Sequence, residues 1–116
     1  MMPKDLRESL EKVTPPNHRL FIANTAANGT DTMEVYQTEV YVDNDASYTE
    51  TLTLPPVAEA KGVTYTIRVV DDGGHCTIQD QDDSLEWSDK ATDADGEYIV
   101  LYSDGRQWHV VVTDIT

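Results

Sequence analysis

Apolar and polar residues alternate along most of this chain in short runs, and each run ends at a turn signal. In residues 63–70, Val63, Tyr65, Ile67 and Val69 share one parity and Thr64, Thr66 and Arg68 the other, the period of a half-buried strand. Leu54-Pro55-Pro56 closes the preceding run, because proline cannot donate to a central ladder, and Gly62 restarts the chain. Asn28-Gly29, Asp72-Gly73-Gly74, Asp95-Gly96 and Asp104-Gly105 supply the positive φ that tight hairpins need. The pattern predicts about eight short strands, near 19–25, 32–42, 48–54, 63–70, 75–79, 84–87, 97–102 and 107–113. Strands this short and evenly spaced predict an all-β fold, an antiparallel β-sandwich or small barrel.

Two runs depart from simple alternation. In 32–42, Met33 and Val35 share one parity and Val40 and Val42 the other. That predicts a bulge near Gln37-Thr38 or a strand that crosses between sheets. The run Tyr98–Tyr102 is apolar on both faces, which predicts a central strand covered on its second side by a partner or by the N-terminal segment. Leu20, Val35, Leu85, Val110 and Val112 are expected in the core beside the inward residues of the central strands. No internal repeat is visible.

Residues 1–18 read as an N-terminal arm and 19–116 as the β-domain. Pro3–Val13 predicts a short helix, with Leu6, Leu10 and Val13 on one face and Pro15-Pro16 as its stop. About eleven residues is marginal for an isolated helix. The stripe therefore either packs on the β-domain or docks on another surface.

Two segments carry a resemblance. Leu54-Pro55-Pro56-x-x-Glu59-Ala60-x-Gly62-x-x-Tyr65-x-Ile67 and Asp95-Gly96-Glu97-Tyr98-x-x-Leu101-Tyr102-Ser103-Asp104-Gly105-x-x-Trp108 resemble segments of tailed-bacteriophage virion β-proteins. Such segments occur in small capsid decoration (cement) proteins and in head-fibre and tail-fibre modules. The resemblance covers about half of the chain and nothing before residue 50. It implies a non-enzymatic structural protein on the outer capsid surface, synthesised in the host cytoplasm. It also implies a homotrimer that stabilises the shell by binding major capsid protein across neighbouring capsomers. The alternative is a fibre or adsorption module that binds a host-surface glycan. On the first reading Leu6, Arg7, Leu10, Lys12, Val13 and Arg19 are the capsid-docking candidates, and Tyr98, Val100 and Tyr102 the oligomer-interface candidates.

Charge narrows the partners. The chain has 116 residues and a net charge of −14. Residues 1–19 hold four bases against three acids, and residues 20–116 hold four bases against nineteen acids. A body this acidic repels phosphate backbones, so no nucleic-acid partner is expected. No apolar run approaches the roughly 20 residues of a membrane span, and Met1–Val13 lacks the apolar core of a signal peptide. No membrane partner is expected either.

Candidate chemistry is sparse. Cys76 is the sole cysteine and lies in a predicted strand among aspartates, the setting of a buried, inert thiol. Asp80, Asp82, Asp83, Glu86, Asp89, Asp93, Asp95 and Glu97 form an acidic stretch that could attract a hard cation. Asp93-x-Asp95-Gly96 lacks the third acidic position and the twelfth-position Glu of a calcium loop, so solvated turns are the simpler reading. His18, His75 and His109 lack ligand-pair spacing, and no Gly-x-Ser-x-Gly elbow or phosphate-binding glycine loop is present. Trp87, Trp108 and Tyr36, Tyr41, Tyr48 and Tyr102 could stack on sugars or belong to core and interface. No catalytic residue, metal ligand or cofactor is assigned.

Overall fold

The computed structural model describes residues 18–45, 47–81 and 89–115. Among these residues the strands are β1 (Arg19–Asn24), β2 (Asn28–Thr32), β3 (Glu39–Asn44), β4 (Thr49–Thr53), β5 (Thr64–Asp71), β6 (Cys76–Gln79), β7 (Lys90–Ala91), β8 (Tyr98–Ser103) and β9 (Trp108–Thr113). They form two sheets, ordered β1-β3-β5-β8-β9 and β2-β4-β6-β7. The expected all-β, sandwich-like architecture is present. The five-stranded sheet ends at β1 and β9, so it does not close on itself as a barrel.

The expectation of antiparallel pairing is overturned. β1, β3 and β5 run parallel to one another, as do β2, β4 and β6. Only β5–β8, β8–β9 and β6–β7 are antiparallel. From β1 to β6 each strand hands the chain to the opposite sheet, and the next but one stacks in register on it. Arg19 lies beside Glu39 and Glu39 beside Thr66. The chain thus winds through three stacked coils before β8 and β9 finish the larger sheet as a hairpin. Parallel neighbours need a long crossover, and here each crossover is a strand of the facing sheet.

The glycine turns explain the misreading. Positive φ fixes local direction, not the strand to be paired next. Asp72-Gly73-Gly74 joins strands of different sheets rather than a hairpin. Gly29 is not a turn residue at all but lies within β2. A Cβ there would stand 2.3 Å from Asn24 Oδ1 and 2.6 Å from Glu50 Oε2, so close approach excludes a side chain. Asp104-Gly105 does make a true hairpin, with Gly105 at φ 94. The parity change in residues 32–42 is the predicted crossing: β2 ends at Thr32 and β3 starts at Glu39 in the other sheet.

Two interactions bind the coils. The first is the core between the sheets, where Ile22, Val40, Val42, Leu52, Ile67, Val69, Ile78 and Leu101 are buried. Tyr65 and Trp108 meet edge to face at 5.6 Å, and the Tyr65 hydroxyl donates to the Val35 carbonyl at 2.6 Å. The second is a buried ladder of side-chain amides. Asn24 Nδ2 donates to Asn44 Oδ1 at 3.0 Å, and Asn44 Nδ2 donates to the Asp72 carbonyl at 2.9 Å, one link per coil. Such stacked amides satisfy one another where identical turns superpose.

The predicted core needs correction at its edges. Val110 and Val112 are exposed on β9, the edge strand of the five-stranded sheet. Leu20 and Val35 are half-buried, and Met33, Val57, Ala60 and Cys76 join the core instead. Leu85 and the predicted strand 84–87 lie outside the described residues, as does the N-terminal helix.

Candidate functional site

Several of the acidic residues serve as acceptors for backbone N–H groups. Asp95 Oδ1 accepts from the Asp72 N–H at 2.7 Å. Glu97 Oε1 accepts from Asp93 and Ala94 N–H at 2.6 and 3.2 Å. Asp104 Oδ1 accepts from Arg106 and Gln107 N–H at 2.8 and 2.9 Å. Asp114 Oδ1 accepts from Tyr98 N–H at 2.6 Å. A carboxylate bonded this way is a turn brace. Among the described residues no three His, Cys, Asp or Glu side chains converge as metal ligands. Asp82, Asp83, Glu86 and Trp87 lie outside the described residues.

Three constellations have the residue types of catalysis. Asp72 is buried, accepts from Thr92 Oγ1 at 2.5 Å, and contacts His75 Nδ1 at 2.6 Å. The order is wrong for a nucleophile: the hydroxyl bonds the carboxylate, not the imidazole, and Thr92 is buried while His75 is exposed. His75 takes φ 91, held by its N–H to the Asp72 carbonyl at 2.7 Å. The group therefore braces the turn between β5 and β6. Cys76 is fully buried, and burial pushes its thiol up to about 12, with Glu50 and Asp72 adding repulsion. No thiolate forms there at neutral pH. His109 Nε2 meets Asp104 Oδ2 at 2.8 Å on the exposed β8–β9 turn. That imidazole contact and the two backbone N–H groups hold the Asp104 carboxyl well below the usual carboxylate range.

The resemblance motif at 103–108 has a structural role at each quoted residue. Ser103 Oγ donates to the Val57 carbonyl at 2.6 Å and accepts from Gly105 N–H at 3.1 Å. Asp104 braces the turn, Gly105 supplies its positive φ, and Trp108 plugs the core.

One buried carboxyl stands apart. Glu50 is 1% exposed and projects inward from β4 beside Gly29 and Cys76. Neither carboxyl oxygen has a donor. Burial, then the adjacent Asp31 carboxylate through hydrogen bonding and repulsion, raises its pKa to about 8.

The other distinctive surface is the outward face of the five-stranded sheet. Phe21, Tyr41, Arg68 and Tyr98 form one cross-strand row. The Arg68 guanidinium sits over the Tyr98 ring at 5.1 Å. Val100 pairs with Val112, and the Tyr102 and His109 rings lie 6.4 Å apart. Tyr98, Val100 and Tyr102 are thus brought together, half-exposed, on β8. Phe21 is 61% exposed and Val111 58%. The acids on this face include Glu39, Asp43 and Asp71, with Asp104 at its end against His109, and Glu39 is paired with Arg19 at 3.0 Å. Of the docking candidates Arg19 lies here, while Leu6, Arg7, Leu10, Lys12 and Val13 lie outside the described residues. No described helix is long and apolar enough to cross a membrane.

No protein-family model, curated protein or solved structure matches this chain.

Proposed function

We propose that this chain is a non-enzymatic structural protein of a phage virion, which decorates the outer capsid surface and joins copies of itself into a homotrimer. The observation that carries the reading is the outward face of the five-stranded sheet. It is aromatic, poor in acid relative to a chain of net charge −14, and bounded by β9, whose Val110, Val111 and Val112 are 41, 58 and 46% exposed. An apolar face of this kind beside an open strand edge favours association. Tyr and Arg are the residue types that dominate binding energy at interfaces. The resemblance of residues 54–67 and 95–108 to virion β-proteins supplies the setting.

The mechanism is geometric. A protein that binds the assembled shell but not its separated subunits stabilises the shell by mass action. Trimer contacts fall on β8 and β9, and the basic N-terminal segment, which an acidic shell does not repel, docks on the major capsid protein. A truncation starting near Asn17, mixed with undecorated particles and pelleted, tests the docking. Loss of binding with unchanged far-UV CD supports it. Full binding by the truncated chain moves the contact to the β-domain.

The row Phe21–Tyr41–Arg68–Tyr98 also favours a second reading, an adsorption module that stacks aromatic rings on a host glycan. Glycan-array binding lost in Tyr41→Ala, with the oligomer intact, would select that reading.

A further inference from the structure

We propose that Glu50, Asp31 and Asn24 form a site for one hard divalent cation, Ca²⁺ in its chemistry, where the first coil stacks on the second. The argument begins with an excess of acceptors. Glu50 Oε2 and Asn24 Oδ1 lie 2.6 and 2.3 Å from the point where a Cβ on Gly29 would stand. Both oxygens close on the Gly29 backbone, which carries no side chain to hold them apart. The orientation of the Asn24 amide is fixed by its partners. Its Nδ2 donates to Asn44 Oδ1 at 3.0 Å and to the Thr49 carbonyl at 2.8 Å, and its Oδ1 accepts from Ala26 N–H at 3.1 Å. The oxygen, not the nitrogen, therefore faces Glu50.

Asp31 follows Gly29 by two residues on β2 and presents its carboxyl within hydrogen-bonding reach of Glu50. Two side-chain oxygens, Glu50 Oε2 and Asn24 Oδ1, thus face each other across Gly29 with the Asp31 carboxylate beside Glu50, and none of the described groups donates to Glu50. A proton on Glu50 bridges it to one neighbour only. A cation meets all three at once, and oxygen-only ligation with an exposed carboxylate at the entrance is the preference of Ca²⁺. Asp31 is exposed, giving the ion a way in and room for water to complete its shell. Cys76, the next residue in register beyond Glu50, is a protonated thiol and adds nothing for a hard ion.

With so few charged ligands the site belongs to the weak class, with Kd of about 10⁻⁴–10⁻³ M. Calorimetric titration of the chelator-treated full chain with CaCl₂ at pH 7 tests it, alongside thermal unfolding in EDTA and in millimolar Ca²⁺ at constant ionic strength. The expected result is one Ca²⁺ per chain and a higher midpoint with calcium. Glu50→Gln and Asp31→Asn should each weaken binding by about tenfold or more, while Glu59→Gln, which alters an exposed acid elsewhere, should leave it unchanged. Far-UV CD establishes that each variant is folded, and Asp31, being exposed, can be altered without disturbing the core. Absence of binding, or equal binding by wild type, Glu50→Gln and Asp31→Asn, overturns the proposal. In the first case the pair shares a proton only, and in the second the calcium is nonspecific screening of an acidic surface.

Discussion

Replacing Asn44 by alanine should destabilise the protein by about 3 kcal/mol, because Asn44 is the central link of the amide ladder. It is 0% exposed. It accepts from Asn24 Nδ2 at 3.0 Å and donates to the carbonyls of Asp72 and His75 at 2.9 and 3.3 Å. Each bond is worth a net of about 0.5–1.5 kcal/mol. The partners left behind are not orphaned: Asn24 Nδ2 keeps the Thr49 carbonyl, Asp72 O keeps His75 N–H, and His75 O keeps Glu50 N–H. The loss is therefore about the sum of three ordinary bonds, without the larger cost of a stranded donor. At about 4–8 °C per kcal/mol for a domain near this size, the midpoint should fall by about 12–24 °C. Urea unfolding read by far-UV CD, with calorimetry for the midpoint, measures both. Asn28→Ala, an exposed asparagine in the neighbouring strand, should cost no more than about 0.5 kcal/mol. A cycle of Asn24→Ala with Asn44→Ala should show a coupling of about 0.5–3 kcal/mol, since the pair is in direct contact. A loss under about 1 kcal/mol for Asn44→Ala, or additivity in the cycle, would refute the idea that the ladder ties one coil to the next.

Four further outcomes are expected. Light scattering at moderate salt should give about three times 13.0 kDa, and Val111→Lys should reduce this to one chain with unchanged far-UV CD; a wild-type monomer at tens of micromolar contradicts the trimer. Cys76 should resist a thiol-reactive dye at pH 8 in the native protein and react fully once unfolded, and rapid native labelling would show that the core opens there. Gly74→Ala should destabilise by several kcal/mol, since its Cβ would stand 2.2 Å from the Ser47 carbonyl oxygen, and a neutral result would mean that the turns are not stacked this closely. The folded Asp104 carboxyl is held below its ordinary 3.8, so its stabilisation is present above that value and is lost as pH falls through the lower folded value. Carbon-detected NMR should find Asp104 titrating below pH 3.8, and a midpoint at the ordinary value would break the His109 contact assigned to it.

Most strands were legible because alternation survives in β3, β4, β5, β6 and β8, whereas β2, whose Asn28-Gly29 reads as a turn, and the two-residue β7 were not. Tyr65, Ile67 and Val69 point inward in β5, as their parity predicted, and Leu54-Pro55-Pro56 ends β4. The pairing was not legible. Coils of unequal length offset the register by 20 residues from Arg19 to Glu39 and by 27 from Glu39 to Thr66, so no fixed period marks the sequence. The residues that do repeat are Asn24 and Asn44, inward-facing amides at equivalent ends of β1 and β3. A polar residue on the apolar parity, recurring at the end of successive strands, is the one sequence trace of parallel stacking here. Glycine turns pointed the other way, because a hairpin and a coil corner both favour positive φ.

The same parity argument exposes Glu50. In Thr49–Thr53 the threonines alternate with Glu50 and Leu52, so a charged residue occupies the register of a core leucine. A buried carboxylate without a donor costs several kcal/mol unless a proton or a cation accompanies it. Its place on β4 is therefore informative even before its neighbours are known. What the sequence could not supply was the neighbour: Asp31 is distant along the chain and arrives only because β2 and β4 are parallel and in register, with Gly29 beside Glu50. The acidic stretch at 80–97 drew attention by density, yet Asp95 and Glu97 are spent on backbone N–H groups, whereas Glu50, isolated in a threonine-rich strand, keeps both oxygens free. Vacancy of the acceptor, rather than the number of acids, distinguishes a binding carboxylate from a structural one, and vacancy is a property of the fold.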